Sequence, residues 1–243
     1  MSLLSVENVS KRYRRGFRER VALRGVSLQI DRGELVVVLG PRKCGRSTLL
    51  RIAAGLERPD EGSVRFEGAP ISTVRDVVGR RISYCHASFS PIEGERVVDH
   101  VAVTLLAQRV PSVRARRAAE DALERAGVAE CAPMNPDELG GAERVRVATA
   151  RGLVAGPSVL VIDDPTAAVG SLQGEAIVRL MRSIADEGVA VLMSTDDAMC
   201  ISGADRAFAL DHGQLRVDVS APQADVVPLR PRKRGIETAA HPG

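Results

Sequence analysis

Val36-Val37-Val38-Leu39-Gly40-Pro41-Arg42-Lys43-Cys44-Gly45-Arg46-Ser47-Thr48-Leu49-Leu50 is the stretch that decides the fold. The β-branched run ending at Gly40 reads as a buried strand, and the glycine-bearing turn after it opens a helix. Moving outward, the same pattern recurs at Val159-Leu160-Val161-Ile162 before Asp163, and at Val189-Ala190-Val191-Leu192-Met193 before Ser194-Thr195-Asp196. Apolar runs of this kind suit parallel strands buried on both faces beneath crossover helices. The class is therefore α/β. In open sheets of this class ligands lie beyond the carboxyl ends of the strands, so the three polar ends are expected to converge on one crevice.

The stretch between the first and second of these strands has a different texture. Ser112 is expected to cap a helix that carries Ala115, Ala118, Ala119, Ala122 and Ala126 on one face and stops at Gly127. Further helices are expected over about 141–154 and 171–187. Alternation in 206–210 and 214–219 around Asp211-His212-Gly213 predicts a closing hairpin. Residues 1–220 read as one domain with a helical insert over about 88–155. The charged, proline-bearing residues 221–243 read as a basic, flexible tail dispensable for folding.

The 243 residues are 44% apolar, an ordinary figure for a globular fold, which argues against disorder and fibrous repeats. No apolar run approaches the ~18 residues of a membrane span, and the opening residues lack the order of a signal peptide, so a cytoplasmic-type chain is expected. Cys44, Cys85, Cys131 and Cys200 form no C-x-x-C pair, which predicts reduced thiols and no zinc cluster. The net charge of +3 conceals two basic segments, KRYRRGFRER at 11–20 and RPRKR at 230–234. With 2% aromatics a stacking surface for nucleic acid is not supported, and a solvated arm or hairpin at 11–20 and a tail, near acidic lipid or a partner, is the expectation.

Gly40 to Thr48 has the spacing of a Walker A loop, whose backbone amides and helix N-terminus cradle phosphates, but Arg46 stands where the lysine belongs. Ser47 offers a hydroxyl to Mg²⁺. Asp163 at its strand end offers a carboxylate for the ion's water shell, or else Asp163-Asp164 is simply a helix cap.

At these residues the chain resembles the ATP-binding cassette (ABC) ATPases, the nucleotide-binding subunits of ABC transporters, over about 4–219. SVENVSKRY is similar to the family's opening strand with its adenine-stacking aromatic at Tyr13, a position equally suited to a packed strand-end tyrosine. RISYCHASFSPIEGERVVDHV resembles the Q-loop region, with a spacing similar to lipoprotein-releasing and macrolide-export cassettes. LGGAERVRVATARGLVAGPSVLVIDDPTAAVG resembles the signature helix, Walker B and D-loop, and LMSTDDAMCISGADRAFALDHGQL the H-loop and final hairpin. The resemblance implies a P-loop NTPase core with a mixed sheet, an N-terminal antiparallel β region and a helical insert.

Family chemistry is where the sequence departs. Arg46 replaces the phosphate lysine, Ala87 the Q-loop glutamine, Gly140 the signature serine, Asp164 the Walker B glutamate, Gly170 the D-loop aspartate and Asp196 the switch histidine. Gly40, Gly45, Ser47, Thr48, Gly141, Asp163, Pro165 and Thr166 are retained. A carboxylate at Asp196 ~5 Å from a γ-phosphate would cost about 3 kcal/mol at an effective dielectric of ~20. Asp164 is a methylene short, and Ala87 has no polar group. Lys43 either supplies a displaced ammonium or is a solvent-facing loop charge, and with Cys44 it completes the cradle. His86, His100, His212 and His241 match no catalytic position.

The resemblance further implies ATP and Mg²⁺ as weakly bound ligands and a peripheral place on the inner face of the cell membrane, docked on an integral-membrane permease. It also implies a second cassette, in a homo- or heterodimer that brings Gly140 and Gly141 to the opposing nucleotide. The function expected is a degenerate ATP-binding subunit with impaired or absent hydrolysis. The alternatives are a slow but active transporter ATPase and a soluble scaffold that uses the fold for protein contacts.

Overall fold

The computed structural model describes residues 2–16, 18–71, 81–86, 94–167 and 169–218. In chain order its strands and helices are β1 (Leu4–Arg15), β2 (Arg18–Ile30), β3 (Leu35–Leu39), α1 (Arg46–Ala53), β4 (Glu61–Phe66), β5 (Ala69–Pro70), β6 (Ile82–His86) and α2 (Val97–Ala107). They continue with α3 (Ser112–Arg125), α4 (Gly141–Leu153), β7 (Val159–Asp163), α5 (Ser171–Asp186), β8 (Ala190–Thr195), β9 (Arg206–Asp211) and β10 (Gln214–Asp218).

The strands form an antiparallel sheet ordered β2-β1-β4-β5 and a second sheet ordered β10-β9-β3-β8-β7-β6. In the second, β9, β3, β8, β7 and β6 run parallel and β10 closes antiparallel on β9. The three apolar runs are thus the adjacent strands β3, β8 and β7, and their polar ends meet at one edge as expected.

Period-two packing explains why these runs are continuously apolar. Val36, Val38, Val159, Val161, Ala190 and Leu192 face a core shared with α1 and the antiparallel sheet. Leu35, Val37, Leu160, Ile162, Val191 and Met193 face the opposite core, against α5. Each large apolar side chain removed from water in this way contributes roughly 1.5–3 kcal/mol. A third cluster, formed by Val97, Val101, Ala115, Ala119, Ala122 and Leu123 among others, holds the helical insert together. Small alanines let α3 approach its neighbours closely.

Two sequence expectations change, and one left open is decided. Ser112 is not the cap: Pro111 precedes the helix with extended backbone and its carbonyl accepts from the Ala115 N–H at 2.9 Å, so Ser112 is already the first helical residue. Ala118, at the border of the alanine stripe, is only partly buried. The basic 11–20 segment is the hairpin rather than the arm, forming the end of β1–β2. There Asp60 fixes it, accepting from Lys11 Nζ at 3.0 Å and from the Arg12 N–H at 2.7 Å.

The helices over 141–154 and 171–187 end within a residue of expectation, and the closing hairpin is present. Val219, the tail over 221–243 and its basic 230–234 segment lie outside the described residues. All four cysteines are free and buried. Among the described residues no helix is long and apolar enough to cross a membrane.

Candidate functional site

The loop between β3 and α1 is shaped by what its glycines touch. At Gly45, φ is 119°, and a Cβ there would lie 2.3 Å from the Ala22 carbonyl oxygen, so only glycine lets the loop pass against β2. Lys43 holds a left-handed φ of 68°, a conformation that costs a residue with a Cβ ~1 kcal/mol. Cys44 is buried beneath the loop, and its carbonyl accepts from the Gly213 N–H at 3.0 Å. The Gly40 N–H donates to the Thr195 carbonyl at 3.1 Å, tying the loop's entry to the end of β8. The first-turn N–H groups of α1 have no acceptor within the helix, the arrangement that receives anions.

A pocket of ≈ 420 Å³ opens over this loop. Gly45, Arg46, Ser47 and Thr48 form its floor, Tyr13 and Arg51 one wall, and Arg20, Arg42, Lys43 and Asp164 the rest. A larger groove of ≈ 860 Å³ lies on the helical insert between α2 and α3, away from these groups. The smaller pocket joins the amide-rich turn between β3 and α1 to charged side chains, and it is the candidate site.

Arg46 is the group at its centre. Its side chain is only 7% exposed, and its Nη2 meets Asp164 Oδ2 at 3.3 Å. Arg46 Nη1 and Asp164 Oδ1 are both buried without a hydrogen-bond partner, the pair among described residues left in that state. Asp164 sits at a φ of 53°, where its N–H donates to the carbonyl and the hydroxyl of Ser194 at 3.2 and 3.0 Å. Burial pushes its carboxyl above the ordinary range, a rise opposed by Arg46 and reinforced by Asp196 and Asp163.

Asp163 is 2% exposed. Its Oδ1 accepts from Ser194 Oγ at 2.6 Å and its Oδ2 from the Tyr84 hydroxyl at 3.1 Å. Burial, with the neighbouring Asp163 charge, pushes the Tyr84 hydroxyl pKa well up, so Tyr84 stays a donor. Ser194 lies in a polar strand end expected at the crevice, though without a role, and Tyr84 was not legible as a site residue. Ser194 directly follows an apolar run, but nothing in the sequence aligns Tyr84 with Asp163.

Asp196 lies 3.7 Å from Arg42 Nε, so its charge has a cationic neighbour. Tyr13 lines the pocket with its hydroxyl anchored, 2.5 Å from Glu57 Oε1 and 3.3 Å from Thr48 Oγ1. Arg51 Nη2 donates to that hydroxyl at 3.4 Å. Lys43 is exposed on the rim. Gly140 and Gly141 open α4 outside the pocket, the Gly140 N–H donating to Glu143 Oε2 at 2.7 Å. Gly170 caps α5, and Ala87 lies outside the described residues. His100 is buried and His212 exposed, both apart from the pocket lining, and His241 is not described.

The side chains offer Mg²⁺ little. Each Asp163 oxygen already accepts an O–H donor in a carboxylate closed to solvent, and Asp164 has one oxygen on Arg46, which leaves the Ser47 hydroxyl and the buried Asp164 Oδ1.

The profile of a family described as ABC transporter matches residues 23–167. The chain is 33% identical over 250 residues to the phosphonates import ATP-binding protein PhnC of Thiobacillus denitrificans, covering 98% of this chain and 95% of that protein. It is 34% identical over 211 residues to the methionine import ATP-binding protein MetN of Brucella abortus, covering 84% of this chain and 57% of MetN. The chain therefore spans little more than half the length of MetN. Among solved structures it is similar to the post-hydrolysis dimer of the ATP-binding cassette MJ0796 bound to ADP and Pi, at a TM-score of 0.79 and 28% identity over 88% of this chain and 97% of that one. The cbiO1 protein from Clostridium perfringens, part of the ABC transporter complex cbiONQ, gives a TM-score of 0.78 and 26% identity over 89% and 88%. The finer likeness of the Q-loop spacing falls largely on residues 87–93, which are not described.

Proposed function

The chain belongs to the ABC transporter family of ATP-binding cassettes, and from that premise we propose that it is a nucleotide-binding subunit that holds ATP with impaired hydrolysis while docked on a membrane permease. The Arg46–Asp164 ion pair carries this reading. In the family pattern one of these positions serves the terminal phosphates and the other the attacking water. Here the two side chains neutralise each other across the pocket. A carboxylate tied to a guanidinium is not free to orient an attacking water, and a shorter one is also withdrawn from near-attack geometry. Asp196, 3.7 Å from Arg42 Nε, places a carboxylate where the family pattern has the imidazole of a histidine.

A second cassette is part of the proposal. The exposed N-terminus of α4 at Gly140 has no partner in the pocket of its own chain, which supports a composite site completed by another subunit. The names of the PhnC and MetN relatives support import as the direction of transport. Tyr13, Gly40, Lys43, Cys44, Gly45, Arg46, Ser47 and Thr48 are the proposed nucleotide contacts, with Gly140 and Gly141 facing the partner's nucleotide.

Calorimetry tests the site directly. In the presence of Mg²⁺, ATP should bind at least tenfold more weakly to this chain than to its Arg46→Lys variant, a difference of ~1.4 kcal/mol in phosphate contact. Equal affinities would remove Arg46 as the cause of weak binding. Tyr13→Ala should weaken ATP and ADP alike by about fivefold, since base stacking is worth ~1 kcal/mol or more. Tyr13→Phe keeps the ring, so it should leave affinity unchanged and reduce stability by ~1 kcal/mol through the lost bond to Glu57. If Tyr13→Ala changes neither nucleotide, the ring is only packing.

A further inference from the structure

The residues around the phosphate loop do not fit a bound Mg²⁺, and they over-supply another counter-charge. The pocket presents Arg20, Arg42, Lys43, Arg46 and Arg51 against the single lining carboxylate of Asp164. Adding the nearby acids Glu57, 3.1 Å from Arg51, and Asp196, 3.7 Å from Arg42, still leaves the cations in excess. Arg46 Nη1 and Asp164 Oδ1, the outer atoms of one ion pair, are both buried without a partner, and Arg46 Nη1 is a donor that a phosphate oxygen entering the pocket would satisfy.

Magnesium asks for the opposite set. It needs near-octahedral oxygen ligands and usually one or two carboxylates beside the phosphates. Here Asp163 is held at both oxygens by Ser194 and Tyr84, and Asp164 has one oxygen on Arg46 and one lone buried acceptor. A divalent cation would also enter a pocket already rich in positive charge.

We infer that this cassette takes its nucleotide as the metal-free polyphosphate anion, with the arginine cluster neutralising the phosphates in place of Mg²⁺. The inference rests on the nucleotide-site reading above and specifies the form of its ligand. Metal-free ATP carries about four negative charges and its magnesium complex about two, so a cationic, carboxylate-poor cradle favours the former.

The test is calorimetric titration of the full chain with ATP in EDTA and again in excess Mg²⁺ at matched ionic strength. Affinity in EDTA is expected to equal or exceed that in Mg²⁺, and at the least to lie within threefold of it. A gain of more than threefold on adding Mg²⁺ overturns the inference and leaves the nucleotide site standing. Binding in neither condition overturns the nucleotide site itself. The double variant Arg42→Ala/Lys43→Gly removes two exposed loop cations, and the φ of 68° at Lys43 favours glycine, so folding is preserved. Its affinity in EDTA should fall fivefold or more, and a smaller loss overturns the assignment of these cations as the counter-charge.

Discussion

Turnover of ATP is expected only when five positions are restored together: Arg46→Lys, Asp164→Glu, Asp196→His, Ala87→Gln and Gly140→Ser. Groups that act on one transition state are non-additive, so single restorations recover little of what the set provides. A positioned base or a preorganised donor is each worth about 10²–10³ in rate. Arg46→Lys alone should strengthen binding without hydrolysis, since Asp164 stays short and Asp196 stays acidic. Asp164→Glu carries its own penalty, because the φ of 53° at this position suits aspartate better than glutamate. Gly140→Ser should be tolerated, as an added Cβ would meet only Glu143 Oε2 at 3.4 Å. Serine is also a good N-cap for α4. Phosphate release from purified variants checks the series. If the unmodified chain hydrolyses ATP and Asp163→Ala abolishes it, the degenerate reading fails and a slow ATPase stands in its place.

Arg46→Met should destabilise the fold by about 2 kcal/mol at neutral pH. Breaking one half of a fully buried pair typically costs ~3–5 kcal/mol, and Asp164, at 25% side-chain exposure, retains some water to soften the loss. The penalty should depend on pH in a definite direction. Asp164 has a folded pKa raised by burial above its unfolded value of 3.8, so the native state holds the proton more tightly. Its stabilising contribution is complete below the unfolded value and is lost as pH rises through the folded one. Removing Arg46 removes the opposing attraction and raises the folded value further, so the penalty should shrink between pH 7 and pH 5. Adding Asp164→Asn should recover much of the stability at pH 7, because no charge is then left unpaired. Urea unfolding of the two variants at both pH values measures this, and a pH-independent loss would show that Arg46 acts by packing alone.

Local pattern carried most of the architecture. The apolar runs of β3, β7 and β8 are legible because both sheet faces are covered, and Gly45 is legible because the turn into α1 needs a left-handed residue. Helices α4 and α5 announce themselves through their terminal glycines and periodicity, whereas α3 begins one residue before its expected start, with Pro111 at the cap, Ser112 in the first turn and no side chain capping the end. The site's behaviour is another matter. Arg46 and Asp164 are 118 positions apart, and their contact exists only because β8 lies between β3 and β7 and brings the loop after β3 near the end of β7. Tyr84 reaches Asp163 because β6 pairs with β7 in the register that sets Ile82 opposite Val159. Sequence by itself determined the strands, the loop and the substituted residues, since these follow from the hydrophobicity and backbone preferences of neighbours along the chain. Which charges neutralise one another, and which oxygens remain for a ligand, was decided by tertiary structure, because electrostatic pairing depends on distance through space.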